Sequence, residues 1–141
     1  EKSSESEYLF VMEKALEDFI IGNWDKTELG KRFDLIMDLD EGVLKSQQFK
    51  TDIGVIDILV KDKKSDQYVV IELKRNQTSD DTVGQLMRYM GWVDEHLSKE
   101  KPSKGIIIAA KYDKKLSYAI KRANDVEVFI YKLNFNLEEY Q

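Results

Sequence analysis

Two β-branched runs separated by a polar turn constrain this chain more than any other feature. Residues 53–61 (IGVIDILVK) and 67–75 (QYVVIELKR) flank a short polar stretch, DKKSD. Val and Ile fit a pleated, half-buried surface, so the two runs read as the strands of one hairpin. Each carries a carboxylate inside its apolar run: Asp57 lies between Ile56 and Ile58, and Glu72 between Ile71 and Leu73. A hairpin centred between Lys64 and Ser65 places Asp57 opposite Glu72. Alternation then puts Lys74 on the face of Glu72, and Val55 and Leu59 on the face of Asp57. Directly opposed residues hold their Cβ atoms about 4.5–5.5 Å apart. Two carboxylates at that spacing repel, so one takes up a proton or a cation lies between them. A hard divalent ion bound through oxygen, Mg²⁺ before others, answers that need. The plainer alternative is a surface hairpin with Glu72 paired to Lys74, and the apolar neighbours of both acids weigh against it. Gly54 is expected to permit a bulge or a close backbone approach just before Asp57.

The rest of the chain supplies layers for this hairpin. Tyr8, Leu9, Met12, Ala15, Leu16, Phe19 and Ile20 recur at helical spacing. They predict an amphipathic helix over residues 6–22, ended by Gly22-Asn23, with Glu17 at the edge of its apolar stripe. Residues 33–39 are expected to be extended, and residues 44–51 to form a strand leading into the hairpin. Ser79-Asp80-Asp81 caps a helix running to about residue 97, with Val83, Leu86, Met87, Met90 and Val93 inward. Gln85, Arg88, Tyr89 and Trp92 share its adjoining strip. The almost wholly apolar GIIIAAK reads as a strand buried on both faces. A helix follows, with Leu116, Ala119, Ile120 and Ala123 inward, and then a strand over residues 126–132. Strand–helix–strand of this length implies a parallel crossover. The sum is α/β: a central mixed sheet, its hairpin antiparallel and its last pair parallel, flanked by helices.

With 141 residues the chain is expected to form one domain over residues 1–141. Lacking an initiator Met, it is expected to be a piece of a longer protein. No run of about 18 apolar residues offers a membrane span, and the opening EKSSESE is no signal peptide. A cytoplasmic location is expected. The absence of Cys excludes disulfides and thiolate zinc sites and leaves any metal to oxygen ligands. The single His96 reads as a helix-end residue. A net charge of −5 argues against a tight unaided grip on DNA. Charge is unevenly spread, however. Lys61, Lys63, Lys64, Lys74, Arg75 and Arg88 surround the paired strands, and Lys111, Lys114, Lys115, Lys121 and Lys132 form a second basic set. A local phosphate-binding surface, reinforced by another domain or a partner, is the expectation.

Asp57 followed, after a hairpin, by Glu72-Leu73-Lys74 resembles the signature of PD-(D/E)XK nucleases, the restriction-endonuclease-like superfamily. Gln85-Leu-Met-Arg-Tyr89 resembles the QxxxY element of its RecB-like and NucS-like branches. The longer run GVIDILV…YVVIELKR…VGQLMRYMGWV is similar to the C-terminal nuclease domain of NucS-like endonucleases, and Glu17 matches an acidic residue on their first helix. The resemblance extends over residues 8–131. It implies a three-layer α/β/α fold with a central mixed sheet. It implies Asp57 and Glu72 as ligands of Mg²⁺, or of Mn²⁺ as a substitute, with the Leu73 carbonyl as a third. Lys74 would orient or deprotonate the attacking water or stabilise the transition state, and Glu17 would help a second or hydrated ion. Gln85 would hold Lys74, a water or a phosphate oxygen. Tyr89, Arg75 and Arg88 would contact nucleic acid. The implied activity is metal-dependent endodeoxyribonuclease cleavage of DNA, in repair or defence, by a homodimer or with an additional DNA-binding domain. NucS-like enzymes carry a separate N-terminal domain for DNA binding and dimerisation, and this chain has no room for one. Two other readings stay open. One is a non-catalytic nucleic-acid-binding or dimerisation module of the same fold. The other is a scaffold whose Gly84, Gly91 and Trp92 form a helix–helix interface.

Overall fold

The computed structural model describes residues 14–75, 81–132, 134 and 136–140. Residues 14–22 are helical (α1) and lead through a 3₁₀ turn, Trp24–Lys26, into the short α2, Glu28–Arg32. The expected start of α1 at residue 6, with Tyr8, Leu9 and Met12, lies outside the described residues. The turn is held locally. Thr27 caps α2 by accepting from the Gly30 amide, and the Trp24 indole donates to the Phe33 carbonyl at 3.0 Å. The strands β1 (Phe33–Leu35), β2 (Gln47–Thr51), β3 (Gly54–Asp62) and β4 (Tyr68–Leu73) follow. After them come α3 (Thr82–His96), β5 (Lys104–Ala109), α4 (Lys114–Lys121) and β6 (Val126–Ile130).

Among the described residues the sheet runs β1-β3-β4-β5-β6, with β2 also paired to β3. The hairpin has the expected register: Ile58 pairs with Ile71 and Lys61 with Tyr68, antiparallel. Both β4–β5 and β5–β6 are parallel, so the sheet is mixed. One core layer packs Ile20, Trp24, Leu29 and Phe33 against Ile58, Val60, Val69, Ile71, Ile106 and Ile108. The other packs Leu86, Tyr89, Met90, Val93 and Leu116 of α3 and α4 against Leu59, Val70 and Ile107. Helices thus cover both faces. Burying a Val or Ile completely stabilises the fold by roughly 1.5–3 kcal/mol, and these strands bury most of theirs.

The structure corrects four details of the sequence reading. Alternation breaks at Asp57: Ile56 packs in the same layer as Leu59, while Val55 is exposed. The β2–β3 ladder runs from Gln47–Ile58 to Phe49–Ile56 without a Gln48–Asp57 pair, and Gln48 sits at a left-handed φ of 53°. The local reversal turns Asp57 into the gap between strands. The second difference concerns residues 44–51, which are not one strand. Leu44 bridges Met37, and Ser46 intervenes, accepting from the Ile36 amide and, through its carbonyl, from the Leu59 amide. Third, Phe19 and Met87 point outward, not into the core. On α1 the inward place goes to Glu17, which is fully buried. Finally, Asp81 occupies the N-cap position of α3 without a side-chain capping bond; Ser79 and Asp80 lie outside the described residues.

Gly54 has φ 143°, and a Cβ there would meet the Tyr89 hydroxyl at 2.3 Å. It is the close backbone approach expected before Asp57. Gly54→Ala is therefore expected to cost about 2 kcal/mol or more in urea unfolding, from forced backbone and lost space together. Adding Tyr89→Phe, which removes the clashing oxygen, should recover part of that loss in a double-mutant cycle.

Candidate active site

The acids expected to converge do so where β3 and β4 cease to pair. Asp57 and Glu72 are both buried, and their carboxyl groups lie within hydrogen-bonding reach of each other. The Asp57 amide donates to Glu72 Oε1 at 3.2 Å, and the Leu73 amide donates to Asp57 Oδ2 at 2.9 Å. Each carboxylate thus fills the backbone position that a continued ladder would have used. The arrangement carries an electrostatic cost. Burial, and then the charge of Asp57, push the Glu72 carboxyl from an ordinary 4.5 up to about 8. At neutral pH burial and the Asp57 charge therefore keep Glu72 in its protonated form.

Glu17 joins the same group from α1. Gln48 Nε2 donates to both of its oxygens, at 2.9 and 3.0 Å, and reaches Asp57 Oδ1 at 3.4 Å. Gln47 Nε2 donates to Glu17 Oε1 at 3.0 Å and to Asp18. Arg75 is not turned out to solvent. Its Nη2 lies 2.5 Å from Glu17 Oε2 and 2.7 Å from Asp57 Oδ1. Burial works against this guanidinium, but Asp57 and Glu17 outweigh it and hold its pKa above the ordinary value.

Lys74 lies on the other side of this group. Its side chain is buried, and its ammonium pairs with Asp113 Oδ2 at 3.0 Å. Asp113 caps α4, accepting from the Leu116 amide at 2.8 Å. That amide and Lys74 hold its carboxyl below the ordinary range. The α3 residues form a separate group. Gln85, Arg88 and Tyr89 line a cavity of about 340 Å³ with Ile53. No hydrogen bond joins Gln85 to Lys74, Asp57 or Glu72 among the described residues. Arg88 pairs with Asp81 at the start of its helix. Tyr89 is buried beneath Gly54, so its ring face is closed to stacking on a base in this arrangement.

Asp57 and Glu72 with a backbone carbonyl would form a hard oxygen set that fits Mg²⁺ or Mn²⁺. Among the described residues no three acidic or histidine side chains gather as a metal cluster, and Arg75 Nη2 lies between Glu17 and Asp57. Three residues that shape the site were not singled out in the sequence. Gln47 and Gln48 carried only the signal of adjacent amides at the start of a strand. Asp113 stands before Lys-Lys-Leu, a readable N-cap whose second partner lies on another element.

Comparison with known proteins now adds the family. The model of the endonuclease NucS C-terminal domain matches residues 15–134. No curated protein matches the chain. Among solved structures, a repair endonuclease from Pyrococcus abyssi superposes with a TM-score of 0.64 at 20% identity, over 85% of this chain and 46% of that one. EndoMS in a complex with double-stranded DNA gives 0.61 at 19%, over 86% and 46%. The chain thus spans a little under half the length of each, and at these identities the likeness is one of fold. No helix among the described residues is long and apolar enough to cross a membrane. The family match covers most of the chain, and this chain belongs to the family of endonuclease NucS C-terminal domains.

Proposed function

We propose that this domain is a PD-(D/E)XK-type, metal-dependent endodeoxyribonuclease that hydrolyses phosphodiester bonds of duplex DNA, in repair or defence. One observation carries the reading: two carboxylates buried within reach of each other, one driven up to about 8, with the buried Lys74 two residues beyond Glu72. Asp57 and Glu72, with the Leu73 carbonyl, would hold Mg²⁺. When bound, the ion would polarise the phosphoryl group and lower the pKa of a water. Lys74, buried and paired with Asp113, would face charge developing on the phosphoryl oxygens. Glu17, braced by Gln47 and Gln48, is tied to Asp57 through Gln48 and Arg75.

The likeness to repair and DNA-bound endonucleases supports duplex DNA as the substrate. A basic strip adjoins Lys74 through Asp113. Lys111, Lys114, Lys121 and Arg122 are exposed there beside the exposed rings of Tyr112 and Tyr118. In a chain of net charge −5 this strip is the surface best suited to phosphates. Tight binding would be shared with a second copy or an additional DNA-binding domain.

The test incubates the chain with supercoiled, linear, branched and mismatched DNA in Mg²⁺, Mn²⁺ or EDTA, beside Asp57→Ala. Cutting that needs the metal and is lost in the variant supports the proposal. Binding without cutting would favour a nucleic-acid-binding module. A stable dimer that neither binds nor cuts would favour a scaffold.

A further inference from the structure

We propose that Arg75 is the resident counter-ion of the acidic site, a positioning residue that yields its place when a divalent ion enters. The inference rests on the metal-site reading above. Glu17 is fully buried, and a carboxylate so placed persists only if it is paired and hydrogen-bonded. Gln47 and Gln48 supply neutral donors, and the half-exposed Lys14 lies 3.6 Å from Glu17 Oε1 without reaching Asp57. The positive charge between the two acids comes from Arg75. A single nitrogen, Nη2, touches both Glu17 Oε2 and Asp57 Oδ1. That is the location a cation bridging the two carboxylates would take. The other nearby buried cation, Lys74, is committed to Asp113.

The arrangement keeps the acids gathered without a metal. It also sets a condition on loading. A divalent ion on Asp57 and the guanidinium on the same carboxylate are like charges in a partly desolvated place, where repulsion is strong. Entry of one therefore favours exit of the other. Arg75 has a route, because its side chain is 31% exposed whereas that of Glu17 is fully buried. Gln48 does not need to leave. It is neutral, and its left-handed backbone fixes the amide toward Glu17. A strained non-glycine residue that holds a donor over buried acids is consistent with a constraint on function. Once displaced, the Arg75 guanidinium stands at the rim of the same site, free to pair with a phosphate oxygen of the bound strand.

Mn²⁺ is the probe, titrated by calorimetry into the wild type, Arg75→Met, Arg75→Lys and Asp57→Asn. Removing the competing charge should tighten Mn²⁺ binding at least about ten-fold in Arg75→Met. It should also lower the metal-free melting temperature and enlarge the rise produced by Mn²⁺. Arg75→Lys, which keeps a competitor, should bind close to wild type. Equal or weaker binding by Arg75→Met, with Asp57→Asn silent, overturns this inference and leaves the metal site standing. No binding by wild type or any variant, or binding unaffected by Asp57→Asn, overturns the metal site itself and the inference with it. If Arg75→Met does not fold, wild-type NMR decides. The Arg75 Nε–H resonance should shift and lose its exchange protection on saturation with Mg²⁺, and an unmoved signal overturns the exchange.

Discussion

Glu72→Gln is expected to yield a protein that is more stable than wild type at neutral and alkaline pH and unable to cut DNA. The Glu72 carboxyl titrates at about 8 in the fold against an ordinary 4.5. The folded state therefore binds this proton more tightly than the unfolded chain does. Stability from this group is fully present below about pH 4.5 and is lost as pH rises toward about 8. Each pKa unit is worth about 1.4 kcal/mol, so the loss amounts to a few kcal/mol. An amide keeps the shape and the acceptor for the Asp57 amide but has no charge to desolvate. Urea midpoints in EDTA should fall between pH 5 and 9 for wild type, and the difference from Glu72→Gln should grow over the same span. A saturating divalent ion should restore wild type, since it takes the proton's place. A pH-independent difference would contradict the placement of Glu72 in a shared acidic pocket.

Lys74→Met is the second large effect. The methionine fills the buried space of the lysine stem and removes the ammonium. Loss of a charge that faces the transition state typically lowers a rate by about 10²–10³-fold. The drop should fall on kcat in single-turnover cutting, with Mn²⁺ affinity close to wild type, because Lys74 is not a ligand. The opposite split, metal binding lost with Lys74, would make it a structural prop for the acids. Asp113 complicates the picture usefully. Its carboxylate, freed of Lys74, remains satisfied by the Leu116 amide, so the cap survives and the fold should as well.

The sequence carried the hairpin far. Val and Ile density set two strands, and a register assumed to centre on the polar turn, which the Ile58–Ile71 pairing bears out, brought Asp57 and Glu72 together. Alternation failed at Asp57 because Gln48 adopts a left-handed backbone, and nothing in a glutamine advertises that. Helical spacing found α1 but gave Phe19 the inward position. A buried carboxylate occupies it instead, and an apolar count cannot foresee a Glu whose partners, Gln47, Gln48 and Arg75, come from distant strands. Arg75 and Lys74 illustrate the same limit. They are adjacent in sequence just past the end of β4, yet one meets Glu17 and Asp57 while the other meets Asp113. Pairing of long cations is decided by tertiary packing, which local pattern does not encode.

Asp57 and Glu72 are proposed to seat one divalent ion beside Lys74. Anomalous diffraction from Mn²⁺-soaked crystals reads this directly. The account predicts a peak about 2.0–2.4 Å from a carboxylate oxygen of both Asp57 and Glu72, with Arg75 Nη2 displaced from Asp57. A peak bound elsewhere, or none at a Mn²⁺ concentration that supports cutting, would contradict it.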